Sequence, residues 1–200
     1  MIWKFNTDSK IKELELKSSP VIIRVNEFTE ESAKDFANKM AAAHNTGQKI
    51  IPIVIDSYGG QVYSLMSMIG SINSSELPIA TIVEGKAMSC GAILFTFGDE
   101  GLRYMDKDAT IMIHDVSGGA LGKIEEMKSS VEEAERLNKK VYKMMARNIG
   151  HPDEFFWDKV QEKGRADWFI ESDEAFELGI ANHRRLPKMT VDVKVDINFS

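Results

Sequence analysis

Ser89 stands where a nucleophile is easily presented. It lies in Gly85-Lys86-Ala87-Met88-Ser89-Cys90-Gly91-Ala92, between the apolar runs Pro78-Ile79-Ala80-Thr81-Ile82-Val83 and Ile93-Leu94-Phe95-Thr96-Phe97. The first run reads as a buried strand and the second as a buried helix. A hydroxyl among small residues at a strand-to-helix turn is open to a substrate. Gly85 and Gly91 are expected to permit a sharp turn and close approach of a substrate backbone. A helix beginning near Ser89 aims its unbonded N–H groups at charge developing there. The same stretch also reads as a small-residue turn packed on a helix, so the assignment turns on partners elsewhere in the chain.

A serine needs a general base to act at neutral pH. The chain has four histidines. His44 ends a helical pattern in a polar turn, His151 precedes a proline, and His183 sits with Arg184 and Arg185 in a basic patch that reads as solvated surface. His114 closes a buried-type strand and opens a glycine-rich loop, which suits either a base or a structural histidine at a strand end. The imidazole in turn needs a carboxylate. Asp115 adjoins His114, but adjacent strand residues face opposite ways. Asp167, between a helix and an apolar stretch, is a candidate for a partly buried carboxylate, and equally for a cap. Asp56-Ser57-Tyr58-Gly59-Gly60 follows another apolar run. Its glycine pair leaves backbone N–H groups approachable, either to cradle an oxyanion or simply to turn the chain. Cys90, next to the serine, is a second nucleophile candidate or a small buried filler.

Other chemistries find little support. No His/Cys pair has zinc-ligand spacing, and there is neither a phosphate-binding loop with its lysine nor a dinucleotide fingerprint, so no metal and no cofactor is expected. A formal net charge of −6 argues against nucleic acid as a main partner. One cysteine permits no internal disulfide and fits a reducing compartment. No apolar run approaches the ~20 residues of a membrane helix, and the start lacks a signal-peptide pattern, so a soluble cytoplasmic protein without membrane contact is expected.

These residues must be held by alternating strands and helices. Pro20–Val25 and Ile50–Ile55 read as strands, with Pro52 weakening the pairing of the second on one side. Asn26–His44 reads as a helix capped by Thr29, and Val62–Ile72 as another. Leu102–Met105 and Ala109–Ile113 read as short strands. Ser117–Gly122 is a glycine-rich link. Lys123–Asn148 is a long amphipathic helix, with Ile124, Met127, Val131, Ala134, Leu137, Val141, Met144 and Met145 on one stripe. That stripe either meets another subunit or covers the protein's own core. Asp153–Lys163 and a Ser172-capped segment ending at Gly179 complete the helices. Trp3 and Phe5 suggest a short strand, and the tail from Thr190 alternates like one, Val191 to Phe199. The class is α/β, built of βα units.

Asp56-Ser57-Tyr58-Gly59-Gly60, Gly85 to Ala92, Ile111-Met112-Ile113-His114, Asp167-Trp168-Phe169, Glu174-Ala175 and Gly179-Ile180 together resemble the ClpP family of serine peptidases, in order and spacing, over roughly residues 20–183. The resemblance implies a ClpP/crotonase-like fold with 123–148 as a protruding handle helix. It implies an N-terminal segment at 1–19, a peptidase domain at 20–185 and a C-terminal tail at 186–200. It places the nucleophile at Ser89, the base at His114, the orienting acid at Asp167, oxyanion donors at Gly60 and Cys90, and substrate backbone along Gly59 and Gly60. It implies an ATP-dependent serine endopeptidase that cleaves unfolded polypeptides or short peptides inside heptameric rings that stack as a tetradecamer, fed by an unfoldase ATPase of the Clp type. The chain departs from the family pattern at Tyr58, Cys90, Asp115-Val116 and Arg165-Ala166. Two rival readings are a ring subunit acting by assembly and a crotonase-like acyl-CoA enzyme.

Overall fold

The computed structural model describes residues 19–116 and 123–190. The expectations for Trp3 and Phe5, for the glycine-rich link and for the alternating tail lie outside the described residues. Within them the chain runs β1 (Ile23–Val25), α1 (Glu30–His44), β2 (Ile51–Ser57), α2 (Val62–Asn73), β3 (Ile79–Met88), α3 (Cys90–Phe95), β4 (Arg103–Met105), β5 (Thr110–Ile113), α4 (Ile124–Asn148), α5 (Phe155–Glu162), β6 (Trp168–Glu171) and α6 (Ser172–Glu177).

The strands form one six-stranded sheet in the order β1-β2-β3-β5-β6, with β4 also paired to β3. All pairings are parallel except β5 with β6. β2 is apolar almost throughout because it is central and covered on both faces. Pro52 fits there because its register partner is Ala80 of β3, while β1 pairs only from Ile53 onward. The proline thus sits at the end of the ladder on one side, where a missing N–H costs least.

β3 is the long strand. Its first half pairs with β4 at Thr81 to Val83 and its second half with β5 at Lys86 to Met88. Against β2 the register slips between Ile55↔Val83 and Ser57↔Ala87. Gly85 lies in that bulge, inside the strand rather than in a turn, with negative φ. This corrects the expectation that Gly85 and Gly91 make the turn, since Gly91 lies within α3.

Several ends also differ from the sequence reading. α1 begins only at Glu30, where Thr29 and Ser32 form a reciprocal capping box. Ser172 is the first helical residue of α6, not its cap, and its hydroxyl donates to the Lys107 carbonyl at 2.7 Å. Along α4, Leu137, Val141 and Met145 are buried, whereas Ile124 is 71% exposed and Val131 57% exposed. The one stripe has two fates: its C-terminal half covers the core and its N-terminal half is uncovered.

Arg103 fastens the segment after α6 to the sheet. Its side chain is 1% exposed. Its Nε donates to Ile180 O at 3.0 Å, Nη1 to Gly98 O at 3.0 Å, and Nη2 to Gly179 O at 3.2 Å and to the exposed Glu100 carboxylate at 3.1 Å. A buried cation is tolerable here because each nitrogen meets an acceptor. Arg103→Met leaves three carbonyls without a donor. It is expected to lower unfolding free energy by roughly 2–5 kcal/mol, read from urea denaturation at fixed protein concentration.

Candidate active site

The C-terminal ends of β2, β3 and β5 converge, as ligand sites in parallel sheets do. At the end of β2, the buried Ser57 hydroxyl accepts from the Gly59 N–H at 3.0 Å, which turns the chain. Gly59 follows with φ +104. A Cβ there would stand 2.8 Å from Ser89 Cβ and 3.1 Å from Met88 O. Only glycine lets this loop lie against the serine. At Gly60 a Cβ would meet Phe28 O at 2.6 Å. Gly60 bridges Phe28 in parallel, but the bond is made by the Gln61 N–H to Phe28 O at 2.8 Å, so the Gly60 N–H takes no part in it.

β3 stops at Ser89, which has φ 54 and ψ −118. That is a strained conformation for a residue with a Cβ, costing on the order of 1–3 kcal/mol. Two bonds hold it: the Ser89 N–H donates to Met112 O at 2.8 Å, and Ser89 O accepts from the Ile93 N–H at 3.2 Å. The Cys90 N–H, at the first position of α3, has no intrahelical acceptor. The turn is thus a single strained residue. Cys90 itself is buried, donates its thiol to Gly60 O at 3.3 Å, and is pushed up to about 11, chiefly by burial. It is a protonated filler that tethers the Gly60 peptide.

His114 follows β5 directly. The antiparallel pairing of β5 with β6 runs Thr110↔Glu171, Ile111↔Ile170, Met112↔Phe169, Ile113↔Trp168. The next step of that register sets His114 opposite Asp167. Their side chains approach to 3.8 Å, Nδ1 to Oδ1. This is longer than a hydrogen bond. Among the described residues the Ser89 hydroxyl makes no hydrogen bond to His114. The structure therefore brings Ser89 together with Gly59, Gly60 together with Cys90, and His114 together with Asp167, and leaves the serine and the imidazole unbonded.

The other histidines are committed elsewhere. His44 bonds Met40 O at 2.7 Å and Ser75 Oγ at 3.2 Å. His151 bonds Leu178 O at 3.0 Å. His183 is not simply solvated: it stacks on Tyr104 with ring centroids 4.4 Å apart and bonds Gly101 O at 2.9 Å. Asp115 turns away to the Tyr142 hydroxyl at 3.0 Å. Asn138 and Tyr142, which reach the residues after His114, carried no signal in the sequence, because they lie more than twenty positions away on a helix read only for its apolar stripe. No group of His, Cys, Asp and Glu that could hold a metal occurs among the described residues. No helix among them is long and apolar enough to cross a membrane. The model of the Clp protease family matches residues 7–183.

Two measurements check this site. Relief of the φ strain makes Ser89→Gly more stable than Ser89→Ala by about 1 kcal/mol, net of the entropy glycine adds to the unfolded chain, as read from urea midpoints. Native Cys90 reacts with iodoacetamide on the order of a hundredfold more slowly than a free thiol, and reacts freely in denaturant, as followed by intact mass.

Proposed function

The chain belongs to the Clp protease family, and from that premise we propose that it is a serine endopeptidase with Ser89, His114 and Asp167 as its triad. The observation that carries this reading is the β5–β6 register, which sets His114 across from Asp167 while the other edge of β5 bonds the Ser89 amide. In the reaction His114 takes the Ser89 hydroxyl proton as Oγ attacks a peptide carbonyl carbon. The oxyanion is held by the N–H groups of Gly60 and Cys90. His114 then gives its proton to the leaving amine, and water, with His114 again as base, releases the acyl group from Ser89. Asp167 orients the imidazole and balances its charge. An extended polypeptide lies along Gly59 and Gly60 as an added strand. Neither Tyr58 nor Cys90 removes a donor, since only backbone N–H groups are asked to serve.

The uncovered Ile124, Met127 and Val131 on α4 support a homo-oligomer. In this reading rings of the chain enclose the sites, stacked heptamers give a tetradecamer, and an unfoldase ATPase of the Clp type delivers substrate. A ring subunit that acts by assembly alone is the second reading. It is favoured by the missing Ser89–His114 hydrogen bond and by the 3.8 Å His–Asp spacing.

A fluorophosphonate probe separates the two. The expected result is one adduct per chain, mapped to Ser89 and abolished by Ser89→Ala, in the fraction whose mass matches a ring. A wild-type ring that takes up no probe sinks the peptidase reading in favour of assembly. Gly60→Ala keeps the backbone N–H but places a Cβ 2.6 Å from Phe28 O, which forces the peptide out of position; since an oxyanion donor is worth on the order of 10²–10³ in rate, labelling is expected to fall by up to about that factor.

A further inference from the structure

Asp115 follows His114 directly, and its carboxylate is gripped from two sides. The Tyr142 hydroxyl of α4 donates to Oδ1 at 3.0 Å, and the Arg165 guanidinium lies 3.9 Å from Oδ2. The next residue, Val116, donates its N–H to Asn138 Oδ1 at 2.6 Å. Asn138 and Tyr142 are one helical turn apart and buried, on the half of α4 that packs against the core. Burial and the Asp115 charge both push the Tyr142 hydroxyl up, so it remains a proton donor. The two residues after His114 are therefore fixed to α4.

Arg165 carries the other arm of this contact and stands two residues before Asp167. It has φ 59, the left-handed region. Its N–H donates to Val160 O at 3.0 Å, its Nε to Gln161 Oε1 at 3.3 Å, and its guanidinium lies 5.5 Å from the Trp157 ring centre. It is anchored on α5. The β5–β6 ladder stops at Ile113↔Trp168, one step short of His114 and Asp167. Beyond that last pair, the spacing of imidazole and carboxylate is set by what holds the flanking residues. Those are Asp115 and Val116 on one side and Arg165 on the other.

We propose that Asp115 is a positioning residue for the His114–Asp167 pair, held in place by Tyr142 and Arg165, with Asn138 securing the next peptide. The proposal rests on the peptidase reading above. Asp115 touches neither substrate nor Ser89; it acts through the backbone of its neighbour. A misplacement of about 1 Å at a catalytic group can cost 10²-fold, so loosening this clamp lowers turnover without weakening substrate binding.

The test compares wild type, Asp115→Ala, Asp115→Asn and Tyr142→Phe as full-length assemblies. It measures peptide hydrolysis, the rate of fluorophosphonate acylation, and hydrogen exchange of the segment ending at Val116. Asp115→Ala and Tyr142→Phe are expected to lower kcat and the acylation rate roughly ten- to hundredfold with KM unchanged, and to raise exchange at Val116. Asp115→Asn keeps an acceptor for Tyr142 and recovers most of the lost rate. Tyr142→Phe removes a single oxygen and serves if Asp115→Ala does not fold. An active wild type whose Asp115→Ala and Tyr142→Phe variants keep kcat, or change only KM, overturns the positioning role alone. A wild type that takes up no probe overturns the peptidase reading, and the positioning role with it.

Discussion

The candidate site hangs on the last pairing of β3 with β5. β3 outruns β4, shifts its register against β2, and ends with Met88 opposite Met112. One more bond, Ser89 N–H to Met112 O at 2.8 Å, holds the strained serine against β5. Since β5 also pairs with β6 on its other edge, a single short strand fixes the serine amide, the histidine that follows it and the aspartate opposite. Sheet formation thus brings these groups to within a step of one another and absorbs much of the entropy of gathering them.

Close packing does the remaining work. Gly59 leaves no room for a Cβ beside Ser89, Gly60 none beside Phe28, and the Cys90 thiol is seated on Gly60 O. The strand-end loop and the helix start are thus in contact through backbone and small atoms alone. The cost of the Ser89 conformation is met by the surrounding bonds.

α4 links the site to the surface. Its C-terminal half is part of the core and grips the residues after His114 through Asn138 and Tyr142. Its N-terminal half carries Ile124, Met127 and Val131 outward. One helix thus carries both an exposed apolar stripe and the two side chains that hold the backbone after His114.

Much of this was legible in the residues themselves. Apolar runs with β-branched residues marked β2, β3 and β5, because buried parallel strands need apolar side chains on both faces. Thr29, the acidic first turn and the stripe of α4 marked the helices. The order and spacing of the short motifs around Gly60, Ser89, His114 and Asp167 resembled one family, whereas each motif alone fitted a plain turn, cap or strand end as well. The sequence by itself determined which residues could serve and on which kind of element each would sit. It did not reveal that β3 continues through Gly85 to Met88, since the bulge depends on the register with β2. Nor did it reveal that His183 stacks on Tyr104 or that Asp115 faces Tyr142, because those contacts join positions far apart in the chain. Only the tertiary structure decided which histidine is left free and which carboxylate lies across from it. That choice is made by strand register, and register is set by the packing of the whole sheet.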